Sequence, residues 1–276
     1  MKITVLVENT ARHGLLAEHG LSLWIETPDS NVLFDTGQGQ ALPHNVARLT
    51  IPLEQAAAVV LSHGHYDHTG GLGCFLDQNR KASLFLHPDV LNPRFSRHAD
   101  QQMHSIGMPS GIASVLRTLP DRIAWTTQPL EIVEGLWATG PIPRETSFED
   151  TGGDFFLDAK ATIPDVIPDD QALWMETPQG LVIALGCAHS GAVNTLDHVS
   201  KLTGSRTFHA VIGGMHLARA SEMRLEETAR ALEYRRVQHI VPGHCTGENA
   251  VRFLRQRLPG RVAECAAGRV LVFNGE

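Results

Sequence analysis

Residues 61–71 read LSHGHYDHTGG, and His63, His65, Asp67 and His68 fall within six positions of one another. Neutral imidazole and carboxylate are the usual ligands of divalent transition metals. His63 and His65 are two apart, so in extended backbone their side chains lean to one side and can grip one ion. Gly64 between them lets another segment approach. Asp67 and His68 fall in the turn before a helix and can address a second position, at the roughly 3.5–4 Å spacing of two-metal sites. A polar loop accounts for one such side chain, not for this set placed directly after the apolar run AAAVVLS. Asp67 reads first as a ligand, with an orienting group or a base as the other roles open to it.

Three further histidines follow apolar runs. His189 comes after LVIALGC and His244 after HIVPG, each just before a helix, and His216 follows HAVIGGM. All three fall past the carboxyl end of an expected strand, where open α/β sheets gather their sites. For His216 a pocket role and an ordinary buried histidine are both open. The free N–H groups of a helix start favour anions, so Ser190, Gly191 and Thr246 are candidate docking points for a phosphate. Arg144, in the string PIPRE, offers a forked donor to the same group, with a surface salt bridge as the alternative. Arg94, Arg97, His98 and His104 read as a solvated lid. Phe155 and Phe156 can stack on a ring, although core packing is the commoner fate of such a pair. Cys187 and Cys245 sit near the proposed ligands, and a metal-ligand role is open to each, but buried, inert thiols are the commoner fate; Cys187, two before His189, is the more interesting.

These side chains need a scaffold. Residues 2–8, 21–27 and 31–35 have strand character, and Pro28-Asp29-Ser30 turns the second into the third. Residues 56–62 suit a strand buried on both faces. A helix is expected over 40–49 and another from 70 to 78, with a strand at 82–87. Strands follow at 123–127 and 130–138, then a hairpin of 172–177 and 181–187 turned at Pro178-Gln179-Gly180. The last third alternates: helix 192–202, strand 209–213, helix 221–235 capped by Ser221, strand 238–241, helix 248–258 and strand 269–273. Two halves that each begin with meandering strands and pass into strand–helix units predict an α/β, four-layer αββα sandwich. Residues 1–276 read as one domain with lid insertions near 88–122 and 140–170, where the periodicity fades.

With 42% hydrophobic and 19% charged residues, the chain can bury a sizeable core, and disorder is not expected. The net charge of −7 and the scattered Lys and Arg argue against a nucleic-acid face. The four cysteines form neither CxxC knuckles nor a disulfide framework, and no leader or membrane span is visible. The expectation is therefore a cytoplasmic protein with a small-molecule substrate and no membrane partner. Assembly into a homo-oligomer stays open.

HGHYDH resembles the HxHxDH signature of the metallo-β-lactamase superfamily, and the resemblance extends over nearly the whole chain. It implies one or two divalent metal ions, zinc before iron or manganese. His63, His65 and His189 would hold the first; Asp67, His68 and His244 the second. Asp35 matches an aspartate that orients a ligand. The aspartate that bridges two metals in many members is missing: no Asp lies between Ser205 and Ala220. A water could bridge instead, or His216 could take part of that role beside Asp67 in catalysis. The strings LFDTGQG, GPIPRETSFE, GCAHSGAVNTL, IGGMHL and PGHCTGE resemble a narrower branch. Its members are named 7,8-dihydropterin-6-methyl-4-(β-D-ribofuranosyl)aminobenzene-5′-phosphate synthases. That resemblance implies a transferase acting on a small phosphorylated or pterin-like substrate. The alternatives are a phosphodiesterase or ester/lactone hydrolase of the same superfamily, and a non-catalytic binding protein on this scaffold.

Overall fold

The computed structural model describes residues 1–97 and 102–273, so His98 lies outside the described residues. The first half runs β1 (Lys2–Val7), β2 (Ser22–Glu26), β3 (Asn31–Phe34), α1 (Ala41–Leu49), β4 (Ala56–Val60), α2 (Tyr66–Thr69), α3 (Leu72–Gln78) and β5 (Ser83–Leu86). The middle holds β6 (Phe95–Arg97), β7 (Met103–Ser105), α4 (Ser110–Leu116), β8 (Ile123–Trp125), β9 (Leu130–Val133), β10 (Leu136–Ala138) and β11 (Phe155–Phe156). The remainder is β12 (Ala172–Thr177), β13 (Gly180–Leu185), α5 (Ala192–Thr203), β14 (Phe208–Gly214), α6 (Glu222–Tyr234), β15 (His239–Gly243), α7 (Glu248–Arg257) and β16 (Val270–Val272).

Two sheets carry the fold, ordered β16-β1-β2-β3-β4-β5-β8 and β15-β14-β13-β12-β10-β9. The two-residue period of the strands divides their side chains between layers. Val32 and Phe34 of β3 join Val5, Val60, Ala184, Ile212 and Val241 in the core between the sheets. Leu33 points the other way, into a second cluster with Leu42 and Val46 of α1 and Leu72 and Phe75 of α3. On the far sheet Val211 and Ile183 pack on Leu196, Leu232 and Leu254 of the last three helices. Helix, sheet, sheet, helix is the αββα order read from the sequence. Each such fully buried aliphatic side chain contributes about 1.5–3 kcal/mol relative to exposure.

Local signals acted as expected in the last third. The Ser221 hydroxyl accepts the Arg224 N–H at 3.2 Å and starts α6, and Gly204, in left-handed backbone, ends α5. One expectation fails: residues 130–138 are not one strand. Gly135, with φ +76°, turns the chain, and β9 and β10 pair antiparallel. The stretches read as irregular lids are also more ordered than expected. The first holds β6, β7 and α4; the second supplies β11, which pairs with β6 to make a three-stranded sheet, β11-β6-β7. At two or three residues each, these strands are too short to show a periodicity, and β11 is created by its pairing with the distant β6.

Candidate metal centre

The carboxyl ends of β3, β4, β13, β14 and β15 open at one rim, and the expected histidines lie there. Asp35 follows β3 with φ +58° and is fully buried. Its carboxylate accepts the Ser62 N–H at 2.7 Å, the Ser62 Oγ–H at 2.6 Å and the His68 Nδ1–H at 2.6 Å. One carboxylate thus ties both ends of the histidine run to the neighbouring strand. The middle is tied from elsewhere. Gly64 donates its N–H to Asp169 Oδ2 at 2.8 Å, and Asp169 Oδ1 accepts from Arg94 at 2.5 Å. Arg94 is fully buried. Its expected place in a solvated lid is therefore corrected: a guanidinium can be buried because Asp169 and Asp165 neutralise it. A Cβ at position 64 would lie 2.5 Å from the Val90 carbonyl, so the close approach expected there is real.

The hydrogen-bond network assigns the imidazole tautomers. His189 Nδ1 donates to the Thr151 carbonyl at 2.8 Å, and His244 Nδ1 to Asn9 Oδ1 at 3.0 Å. His68 Nδ1 is held by Asp35. The Ser62 hydroxyl gives its proton to Asp35 and so accepts from His63 Nδ1 at 2.9 Å. In His63, His189 and His244 this leaves Nε2 as the unprotonated atom, whereas His68, which keeps its charge at pH 7, carries a proton on Nε2 as well. His189 Nε2 is buried with no hydrogen-bond partner. His68 Nε2 and His244 Nε2 face each other at 3.2 Å, with the His68 proton between them, and a metal ion displacing that proton would find two nitrogens already converged. His63 Nε2 is 3.0 Å from His65 Nδ1. These donors fit a divalent metal ion.

Among the described residues three groups of donor atoms lie close enough together to hold an ion: His63, Cys187 and His189; His68, Cys187 and His244; and His19, Asp67 and His244. Asp67 Oδ2 is 3.3 Å from His244 Nε2 and 3.1 Å from His19 Nε2. The structure therefore brings His63, His65, Asp67, His68, His189 and His244 to one place.

For all but His68 the protonation states suit the same role. Burial lowers His63, His189 and His244 below the ordinary imidazole range, and the neighbouring histidines add to the effect. Burial and then Arg94 do the same for His65. Asp67 is held well below the usual carboxylate range: burial opposes ionisation, but His68, His19 and His244 outweigh it. His68 alone is raised, to about 9, because Asp35 and Asp67 overcome the penalty of burial.

The cluster opens into a cavity of about 450 Å³ lined by His65, Tyr66, Asp67, Phe155, His189, His216 and Arg219, among others. The sheet β11-β6-β7 roofs it, and Tyr66 N–H donates to Ile106 O at 2.9 Å, just past β7. Phe155 lies 5.3 Å from both the His65 and His189 rings, so it faces the site rather than the core. His216, in left-handed backbone, stacks 4.3 Å from His189 but belongs to none of the donor groups among the described residues. Burial and Arg224 lower it to about 4, so it is neutral at pH 7.

The anion-docking points need correction. The start of α5 is already filled: Glu149 Oε1 and Oε2 accept the N–H groups of Val193 and Asn194 at 2.9 and 2.8 Å. Ser190 N–H is taken by Asp170 at 2.7 Å, and a Cβ at Gly191 would meet Glu149 at 2.2 Å. Thr246 is fully buried, and its hydroxyl accepts the Met215 N–H at 3.1 Å. Arg144 donates to the His189 carbonyl at 2.7 Å and to the Val166 carbonyl. It splints the His189 loop and does not line the cavity. Each of these groups is satisfied inside the chain, which a reading of local motifs does not reveal.

His19, Asn9 and Thr151 were missed as site residues, and Cys187 was singled out but read as an inert thiol. Cys187 carried a signal, its strand spacing to His189. Asn9 and His19 carried none, because they meet His244 only across the closed fold.

A profile described as the Metallo-beta-lactamase superfamily matches residues 17–197. The chain belongs to that superfamily. Across 99% of its length it is 29% identical to a Methanocaldococcus jannaschii protein, covering 97% of that relative, named 7,8-dihydropterin-6-methyl-4-(beta-D-ribofuranosyl)-aminobenzene-5'-phosphate synthase. An uncharacterized protein of the same organism is 31% identical over 92% of this chain and 94% of its own. Among solved structures, Tm1679, described as a metal-dependent hydrolase of the beta-lactamase superfamily, superimposes with a TM-score of 0.83 at 29% identity, over 99% of this chain and 98% of that one. Among the described residues no helix is long and apolar enough to cross a membrane.

Proposed function

We propose that the chain is a metal-dependent transferase acting on a small phosphorylated or pterin-like substrate, in the manner of the synthase named among its relatives. The observation that carries the metal part is the set of four imidazoles whose Nδ1–H groups are each held by an oxygen while their Nε2 atoms converge. His63, His65 and His189 would hold one ion, and Asp67, His68 and His244 another. Zinc suits mixed imidazole and carboxylate ligands, and iron or manganese are the alternatives. Such an ion polarises a phosphoryl or leaving oxygen.

The chain's own residues supply the rest. Phe155 presents a ring face to a flat heterocycle. Arg219, lining the cavity, offers the guanidinium that Arg144 cannot. Neutral His216, over the cavity, is placed to accept a proton from a bound group or return one. The alternative is a hydrolase on the same ligand set, supported by the equal identity to Tm1679.

Metal analysis of the purified protein, joined to a screen of pterin diphosphates with ribosylated aminobenzene phosphate against phosphate esters, diesters and lactones, tests this reading. Bound metal and coupled consumption of the first pair are expected. Turnover of a single ester or lactone with water moves the assignment to a hydrolase. A protein with no affinity for zinc, iron or manganese ends the metal reading and leaves a binding protein on this scaffold.

A further inference from the structure

The superfamily's bridging aspartate is missing from this chain, and the structure shows why no side chain can stand there. Residues 213 and 214 end β14, between the strands that carry Cys187 and His244. Gly213 has φ +113°, and a Cβ on it would lie 2.1 Å from the Leu185 carbonyl. A Cβ on Gly214 would lie 2.5 Å from the Gly186 carbonyl and 2.6 Å from Cys245 Sγ. An aspartate at either position would collide with the backbone of β13 or the residue after it.

The Cys245 sulfur takes the space beside Gly214, and a second sulfur comes from just past the end of β13. Cys187 is 3% exposed. Its Sγ is 3.1 Å from His68 Nε2. The same sulfur belongs to two donor groups, with His63 and His189 on one side and with His68 and His244 on the other. His189 Nε2, in the first group, is the buried donor that no hydrogen bond satisfies. Cys245, the neighbouring thiol, belongs to neither group; it reaches the Cys187 carbonyl at 3.5 Å and hydrogen-bonds the Cys187 thiol.

We infer that Cys187 supplies a shared thiolate ligand between the two metal positions, in the role the absent aspartate plays elsewhere. The inference rests on the metal reading of the site given above. On binding, the Cys187 S–H gives its proton to solvent, and the sulfur donates one lone pair to each ion. Thiolate is a soft ligand that favours zinc or iron over magnesium or calcium. His216 then stays free of ligation over the cavity.

The test is cobalt(II) titration of the metal-depleted protein, followed by absorption, beside metal counting and a thermal melt of each variant. In the parent protein a near-ultraviolet sulfur-to-cobalt charge-transfer band is expected with the first equivalent, changing again with the second. Cys187→Ser and Cys187→Ala should lose the band, keep the melting transition, and bind both equivalents at least about tenfold more weakly. Cys245→Ser should keep it. Cobalt bound with visible ligand-field bands but no sulfur band in the parent protein overturns the thiolate and leaves the metal reading standing. So does loss of the band in Cys245→Ser alone. A band that saturates with the first equivalent and ignores the second overturns the sharing. No cobalt uptake at all removes both readings together.

Discussion

The histidine pocket and the start of α5 lie side by side, joined through His189 and Ser190, yet they treat their polar groups in opposite ways. At the helix start the donors of four residues are answered from within: Glu149 caps Val193 and Asn194, Asp170 takes the Ser190 N–H, and the Ala188 carbonyl takes that of Gly191. In the pocket the Nδ1 atoms of His63, His68, His189 and His244 are each fixed by an oxygen, while the Nε2 atoms of His65 and His189 have no hydrogen-bond partner and the others face one another or His65. A buried polar atom left unpaired costs about 1–3 kcal/mol. A fold that answers one region fully and leaves its neighbour open marks the open one as the place for a ligand. The generic argument from helix N-termini pointed to the wrong region, because it counted donors without asking what already occupied them.

The largest effect should come from removing an unanswered lone pair. His189→Ala is expected to cut metal content by at least half and turnover at least about 100-fold, read by elemental analysis and steady-state rates. Full metal retention would break the contrast. Next comes the support under the pocket. Asp169→Asn leaves Arg94 buried without its closest carboxylate, and breaking such a pair costs about 3–5 kcal/mol. Denaturant midpoints read this.

The α5 start should behave as structure rather than as a binding site. Arg144→Ala frees two carbonyls and is expected to cost about 1–3 kcal/mol of stability with metal content unchanged. A raised KM at unchanged stability would restore it as a substrate contact. Glu149→Gln should cost about 1 kcal/mol, as lost caps do, again at constant metal.

The smallest effect near neutrality is that of pH on the metal-free protein. His216 is lowered to about 4 from 6.5, so its contribution is complete above pH 6.5 and is lost as pH falls through 4. His68, raised to about 9, has the opposite sign: its contribution is complete below pH 6.5 and is lost as pH rises through 9. Unfolding followed across pH should show stability falling on both sides. A curve flat from pH 4 to 9 would contradict both assignments.

The sequence displays what is local and hides what the fold assembles. His63, His65, Asp67 and His68 were legible because their spacing alone gives them one face. Ser221 was legible as a cap because its partner, Arg224, is three residues on. His189 and His244 needed the further idea that strand ends share a rim. Glu149, Asn9 and His19 were not legible, because each finds its partner across the fold, 44, 235 and 225 residues away for Val193, His244 and His244 respectively. Gly135 was overlooked because nine residues of strand character surround it, and the left-handed turn it permits reads the same as a strand glycine.

The small sheet over the cavity has one more implication. Its central strand, β6, pairs with β7 from its own insertion and with β11 from the other. Neither loop can be shortened or exchanged alone without stranding an edge of hydrogen-bond donors. Altered access to the centre, whether by divergence or by engineering, is expected to require the two segments to change as a matched set.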